Sequence, residues 1–370
     1  MALTDDQIHG DILEVVLSYL PLVDLVPASV VSKSWNSAVT ASLRWLSKPK
    51  PWLLVHTQST RAPYEMSTRA YDHRSCAWVE VVNPAAKYVS ALRSSHSNLL
   101  YMLSPTTFSF SIDALNVAWQ HVDAPKVWRT DPIVAHVGGY IVVAGGTCDF
   151  EDDPLAVEIY NVGAGTWETC ESMPAILKDS SASTWLSIAT AAGKLIVTEK
   201  LTGATHCFDP ETKNWTGPYD LRPDQRVSLS IIGSSENRLI LVGAIGDIGN
   251  IEGIKIWEVN TDNFDYQEIG EMPAGFVKKL KSETFGISSI SLCMSGDYAH
   301  IYNASEAEEV VVCELDAAAG GGCEWRSFKN AVAGDGNNRM ERVVLTSSEV
   351  SLAELRRAMG SEKAMFTVKM

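Results

Sequence analysis

Eight histidines, seven cysteines and one glycine-rich run are the residues from which this chain could assemble a reactive centre. The histidines are dispersed. No His-Glu-x-x-His pair is present to hold zinc, and no Gly-x-Ser-x-Gly elbow to expose a nucleophilic serine. Gly243, Gly246 and Gly249 lie close together, but no Lys-Ser/Thr follows and no helical period opens after them. That run therefore reads as a loop, not as a phosphate cradle. Cys76, Cys148, Cys170, Cys207, Cys293, Cys313 and Cys323 form no Cys-x-x-Cys pair. An odd, scattered set fits reduced thiols, and so a cytoplasmic or nuclear setting. No catalytic centre, metal site or cofactor is expected.

Binding is the remaining chemistry, and bulk properties narrow its partners. The formal net charge is -15. Nucleic acid and anionic membrane surfaces attract the opposite sign, so neither is expected as a partner. No apolar stretch approaches the roughly 20 residues of a membrane helix. The short apolar run at 15–17 is flanked by acidic residues and preceded by no basic segment, unlike a secretory signal. A length of 370 residues favours two domains or a repeat array.

The elements that would position binding residues change character near Ser47. Before it, Leu13, Val16, Leu17 and Leu20 fall on one helical face. Pro21 should end that helix, and Asp24 should cap a second with Pro27 in its first turn. Val31, Trp35 and Ala38 mark a third. Three such short helices cannot hide all of Ile8, Ile12, Leu20, Leu25 and Val30, so part of this apolar surface should face a partner.

Beyond residue 50 the chain becomes periodic. Trp78, Trp119, Trp167 and Trp215 recur at intervals of 41 to 48 residues; Phe264 or Tyr266 falls near the next position, and Trp325 follows. Upstream of these aromatics lie extended runs at 52–56, 99–103, 140–144, 195–198, 239–242 and 298–302. Gly145-Gly146 closes one of them, where glycine lets backbones pass closely. A period near fifty with glycine pairs and a late tryptophan is the kelch signature, which predicts a mainly β, six-bladed propeller. The first unit lacks an upstream strand. The lone run at 342–347 is expected to return and complete that blade, closing the ring, with a short helix at 352–359 outside it.

The segments Gly10–Glu14, Leu20–Leu25 and Ser29–Trp35 resemble an F-box, although its usual Leu-Pro opening is replaced by Ile8-His9. With the repeats, nearly the whole chain resembles plant F-box/kelch-repeat proteins. The resemblance implies an F-box at 1–47, a propeller at 48–347 and a tail at 348–370. It implies that Ile8, Ile12, Leu13, Leu20, Pro21, Leu25, Val31, Lys33 and Trp35 bind a Skp-type adaptor of a cullin-based ubiquitin ligase. The propeller would then hold a protein target, without catalysis of its own. Segments 50–58, 131–135 and 148–160 look like a branch that delivers phenylpropanoid enzymes, notably chalcone synthase. The alternative is a kelch scaffold that tethers its partner without recruiting a ligase. Interface energy concentrates in Trp, Tyr and Arg. Arg61, Tyr64, Trp128, Arg129 and Arg226, with the acidic Asp149 and Asp152, are therefore the expected target contacts.

Overall fold

The computed structural model describes residues 10–45, 50–60, 65–81, 90–96, 98–115, 117–149, 152–235, 238–281, 289–315, 322–332, 341–360 and 366–369. The head is three helices: α1 (Asp11–Ser18), α2 (Leu22–Val30) and α3 (Lys33–Ser42). Leu13 and Leu17 of α1 pack with Leu25, Val26 and Val39. Each such buried aliphatic side chain contributes about 1.5–3 kcal/mol.

Three details differ from the sequence reading. Val16 was expected on the buried face, but it points outward. α2 starts directly after Pro21, whose carbonyl accepts from the backbone amides of Asp24 and Leu25; no side chain caps it, and Pro27 falls sixth in the helix. A proline that fixes φ near -54° can set the entry without Asp24. Val31 lies between helices, because Ser32 caps α3 by accepting from the Trp35 amide at 3.2 Å.

Six four-stranded antiparallel blades follow. From inner to outer strand, blade 1 is Glu341–Ser348, Trp52–Ser59, Met66–Asp72 and Ala77–Val81. Blade 2 is Arg93–His96, Leu99–Leu103, Thr107–Ser111 and Gln120–Asp123. Blade 3 is Ile133–Val137, Tyr140–Ala144, Val157–Asn161 and Thr166–Thr169. Blade 4 is Leu186–Ala191, Lys194–Glu199, Ala204–Asp209 and Asn214–Asp220. Blade 5 is Val227–Ser235, Arg238–Asp247, Asn250–Val259 and Tyr266–Glu271, and blade 6 is Ile290–Ser295, Tyr298–Asn303, Glu309–Leu315 and Cys323–Lys329. Each inner strand touches those of its neighbours, and blade 1 meets both blade 6 and blade 2, so the ring is closed.

Closure is made as expected. The strand at 341–348 pairs antiparallel with 52–59, setting Val55 opposite Leu345 and His56 opposite Val344. His56 is fully buried and bridges the seam, with Nδ1 2.9 Å from Thr68 Oγ1 and Nε2 2.9 Å from Thr346 Oγ1.

The tryptophan period has a structural cause. Trp167 Nε1 donates to the carbonyl of Asp123 in blade 2, and Trp215 Nε1 to that of Glu171 at the end of blade 3. Each indole thus ties its blade to the preceding one while filling the gap between them. Phe264 takes this place in blade 5, stacking on Tyr219 of blade 4 at 4.1 Å; Tyr266 is exposed. Gly145 and Gly146 both have positive φ, and a Cβ on them would lie 2.4 Å from the Ser181 carbonyl oxygen and 2.7 Å from that of Thr130. No larger residue fits.

The tail does more than the sequence suggested. The helix Leu352–Gly360 packs on α2, with Leu352 and Leu355 buried in an apolar cluster that also holds Leu25 of the head and Trp52 and Leu54 of blade 1. Arg356 donates from Nε to Ser29 Oγ at 3.2 Å and from Nη2 to Asn36 Oδ1 at 2.7 Å. Phe366–Lys369 then adds a fifth strand to blade 1 beside Ala77–Val81. That strand had no counterpart in the sequence reading.

Candidate functional site

Strand alternation sorts the loops onto two faces. Connections between blades and the loops joining second to third strands share one face. The remaining turns share the other, and the chain enters blade 1 at Trp52 and leaves it at Ser348 on that second face. The head and tail helix therefore sit opposite the loop face that carries the expected target contacts.

On the head, α1 is apolar on two sides. Leu13 and Leu17 face inward, while Ile12, Val15, Val16 and Tyr19 run along the outside at i, i+3, i+4 and i+7. Ile12 is 68% exposed and Tyr19 82%. Val30 and Val31 are exposed at the end of α2. An exposed contiguous apolar patch on the side of a helix turned away from its core marks an interaction surface.

Of the residues expected to meet an adaptor, Ile12, Val31 and Lys33 are exposed, and Leu20, Pro21 and Trp35 are half-buried. Leu13 and Leu25 are inside the core and hold the head together, so they cannot contact a partner directly. The reason is helical phase: they face the other helices. Ile8 lies outside the described residues. Val15 and Tyr19 escaped the sequence reading, which took a single apolar face where α1 has two.

On the loop face, Asp149, Asp152 and Arg226 are exposed and Trp128 is half-buried. Asp152 closes a turn by donating its amide to the Asp149 carbonyl at 3.0 Å. Arg226 pairs with Asp224 at 3.3 Å in solvent. Arg61 and Tyr64 lie outside the described residues.

Arg129 must be reassigned. Its side chain is 1% exposed, and Nη2 lies 2.5 Å from Glu158 Oε2. Nη1 donates to the Ala156 carbonyl at 2.5 Å and Nε to that of Val127 at 3.2 Å. Glu158 also accepts from the backbone amides of Lys126 and Val127. Burial pulls the guanidinium below its ordinary pKa, and Glu158 opposes that shift. Arg129 thus locks the connection into blade 3; it is a buried architectural residue, out of reach of a target.

Within the ring, the central channel holds a cavity of ≈130 Å³. Ser94, Ser95, Ser187, Ser234 and Ser291 line it, with Lys200 at the loop-face end. Beside that end, Arg93 is ion-paired to Asp131. Asp131 also accepts from the hydroxyls of Ser183 and Thr184, each at 2.8 Å, and these bonds hold its carboxyl below the usual carboxylate range against the opposing effect of burial. No group of three or more metal-ligating side chains occurs among the described residues.

Comparison with known proteins fits this two-part geometry. The F-box domain family matches residues 7–47. An F-box/kelch-repeat protein of Arabidopsis thaliana is 46% identical over 368 residues, covering 96% of this chain and 93% of its own. The solved structure of YjhT overlaps at a TM-score of 0.41 and 13% identity, over 62% of this chain and 75% of its own, which is too slight to bear on either fold or function. Identity at that level across both the helical head and the six-bladed body shows that the chain belongs to the F-box/kelch-repeat proteins.

Proposed function

We propose that the chain is the substrate-recognition subunit of an SCF-type ubiquitin ligase. Its head docks on a Skp-type adaptor, its propeller holds a protein target, and ubiquitin transfer is catalysed elsewhere in the complex. The observation that carries this reading is the outer stripe Ile12, Val15, Val16 and Tyr19, an exposed apolar face on a helix whose other face already has its core. The subunit contributes proximity: holding the target raises the effective concentration of its lysines near the conjugating enzyme. The tail helix supports this role, because a head fixed to blade 1 sets a definite distance between adaptor and target.

For the target, the proposal is an enzyme of phenylpropanoid or flavonoid synthesis such as chalcone synthase, from the likeness of segments 50–58, 131–135 and 148–160 to that branch. Two measurements test the pair of claims. Turnover of the target in cells should require the head, so Ile12→Asp should stabilise the target without changing its binding. Purified chalcone synthase should bind the intact protein. Absence of binding removes that target, while turnover that persists in Ile12→Asp removes the ligase reading and leaves a tethering scaffold.

A further inference from the structure

We infer that the loop-face connection from blade 3 to blade 4 is the docking surface for the target, and that it takes a segment in which an apolar side chain is flanked by lysine or arginine. The inference rests on reading the propeller as the target-binding part. This connection runs from residue 170 to residue 185 and leaves two large apolar side chains in water. Ile176 is 68% exposed and Trp185 48%.

The connection is fixed along its length. Ser172 Oγ donates to Asp153 Oδ2 at 2.6 Å, which ties it to the turn before the third strand of blade 3. Met173, and Leu177 of the short helical turn Ala175–Ser180, are buried in the core shared by blades 3 and 4, and Ile176 is left outside. The Gly146 amide donates to the Ser181 carbonyl at 2.8 Å, and the hydroxyls of Ser183 and Thr184 each donate to Asp131 at 2.8 Å. Trp185 is held by its own backbone: its amide donates to the Ala182 carbonyl, and its carbonyl accepts from the Lys200 amide, both at 3.0 Å. Trp167 and Trp215 spend their indole N–H on the preceding blade. Trp185 makes no such bond among the described residues, and about half of it faces solvent. An indole on backbone that is already ordered loses little entropy on binding, and tryptophan is among the residue types that carry interface energy.

The surrounding charges select the partner. Glu171 and Asp179 are exposed on the connection, and Asp152 is exposed on the turn that Asp153 and Ser172 join to it. Glu168, just before them, pairs with Lys213, but none of these three carboxylates is in an ion pair among the described residues. Lys178 is the one cation between residues 170 and 185. The exposed apolar pair thus sits among three carboxylates and one ammonium, in a chain whose net charge is -15. An acidic segment would be repelled here, whereas a basic one is steered in and meets complementary charge. The apolar side chain of the target then covers Trp185 and Ile176, with its lysines or arginines on the carboxylates.

The test uses the full-length protein, incubated with a purified Skp-type adaptor, and three immobilised peptide libraries with randomised outer positions. Their centres are leucine between lysine pairs, leucine between glutamate pairs, and serine between lysine pairs. Retention of the first library above both others is expected. Trp185→Ala should weaken that retention about thirtyfold, as at an interface hot spot, and Trp185→Phe should recover most of it. Glu171→Gln combined with Asp179→Asn should also weaken it and flatten its dependence on salt. Equal retention of the first and third libraries would mean that charge alone acts, and overturns the surface. Preference for the glutamate library overturns it too, as does wild-type retention by both Trp185→Ala and Ile176→Ser in protein of unchanged melting temperature. Adaptor retention is read in the same samples. Loss of adaptor with the first library still held would sink the receptor reading and leave this surface standing; adaptor held with no library preferred would do the reverse.

Discussion

His56 makes the seam of the propeller acid-sensitive. Its imidazole is fully buried between Thr68 and Thr346 and joins the second, third and closing strands of blade 1. Burial lowers its pKa from 6.5 to about 3. The folded protein therefore keeps the ring neutral, while the unfolded chain takes up a proton below about pH 6.5. The unfolded state binds more protons throughout that window, so stability falls with pH from 6.5 down to the folded pKa near 3. At pH 5 the unfolded chain gains 1.36 kcal/mol for each of about 1.5 pH units, or about 2 kcal/mol relative to pH 7.5. His300, also fully buried and lowered to about 4 by burial, acts in the same direction. Substituting His56→Gln isolates the first contribution, because an amide can still donate to one threonine and accept from the other. Urea unfolding of both proteins at pH 7.5 and pH 5 gives the double difference, in which titration of all other groups cancels. The wild type should lose about 2 kcal/mol more than the variant over that interval. Equal losses would refute the argument that His56 is neutral in the fold.

Two other perturbations probe the architecture. Arg129→Ala leaves Glu158 charged and unpaired in the interior, and should cost about 3–5 kcal/mol by urea unfolding. A loss below about 1 kcal/mol, as for an exposed arginine, would contradict its reassignment. Leu355→Ala empties a fully buried position in the tail helix and should cost about 2–5 kcal/mol of local stability. Amide hydrogen exchange should then accelerate in α2, α3 and the tail helix while the inner strands stay protected. Uniform acceleration would mean that the tail does not hold the head.

The body was readable from sequence because its period reflects contacts between neighbours. Trp167 and Trp215 repeat one inter-blade hydrogen bond, and a lone β-run after the last repeat had only the incomplete first blade to pair with. The head was legible in outline but not in phase. Apolar residues on both sides of α1 satisfy more than one helical face, and only packing shows that Leu13 and Leu17 turn inward and Val16 outward. Arg129 was misread because residue type suggests exposure, whereas its partner Glu158 lies 29 residues along the chain, in a different strand. The channel mouth was invisible for the same reason. Arg93, Asp131 and Lys200 lie far apart along the chain, and nothing in local sequence brings them together. The last strand, 366–369, is a short edge with no pattern of its own.

The central claim is that the outer face of α1 docks an adaptor while the propeller does separate work. Its most direct test is retention of a purified Skp-type adaptor by the full-length protein and by its Ile12→Asp variant. Ile12 is exposed, so the substitution should change stability by no more than about 0.5 kcal/mol. The account predicts a stable complex with the wild type and loss of the adaptor in the variant, at unchanged melting temperature. A wild-type protein that fails to retain the adaptor, or a variant that retains it fully, would contradict the account.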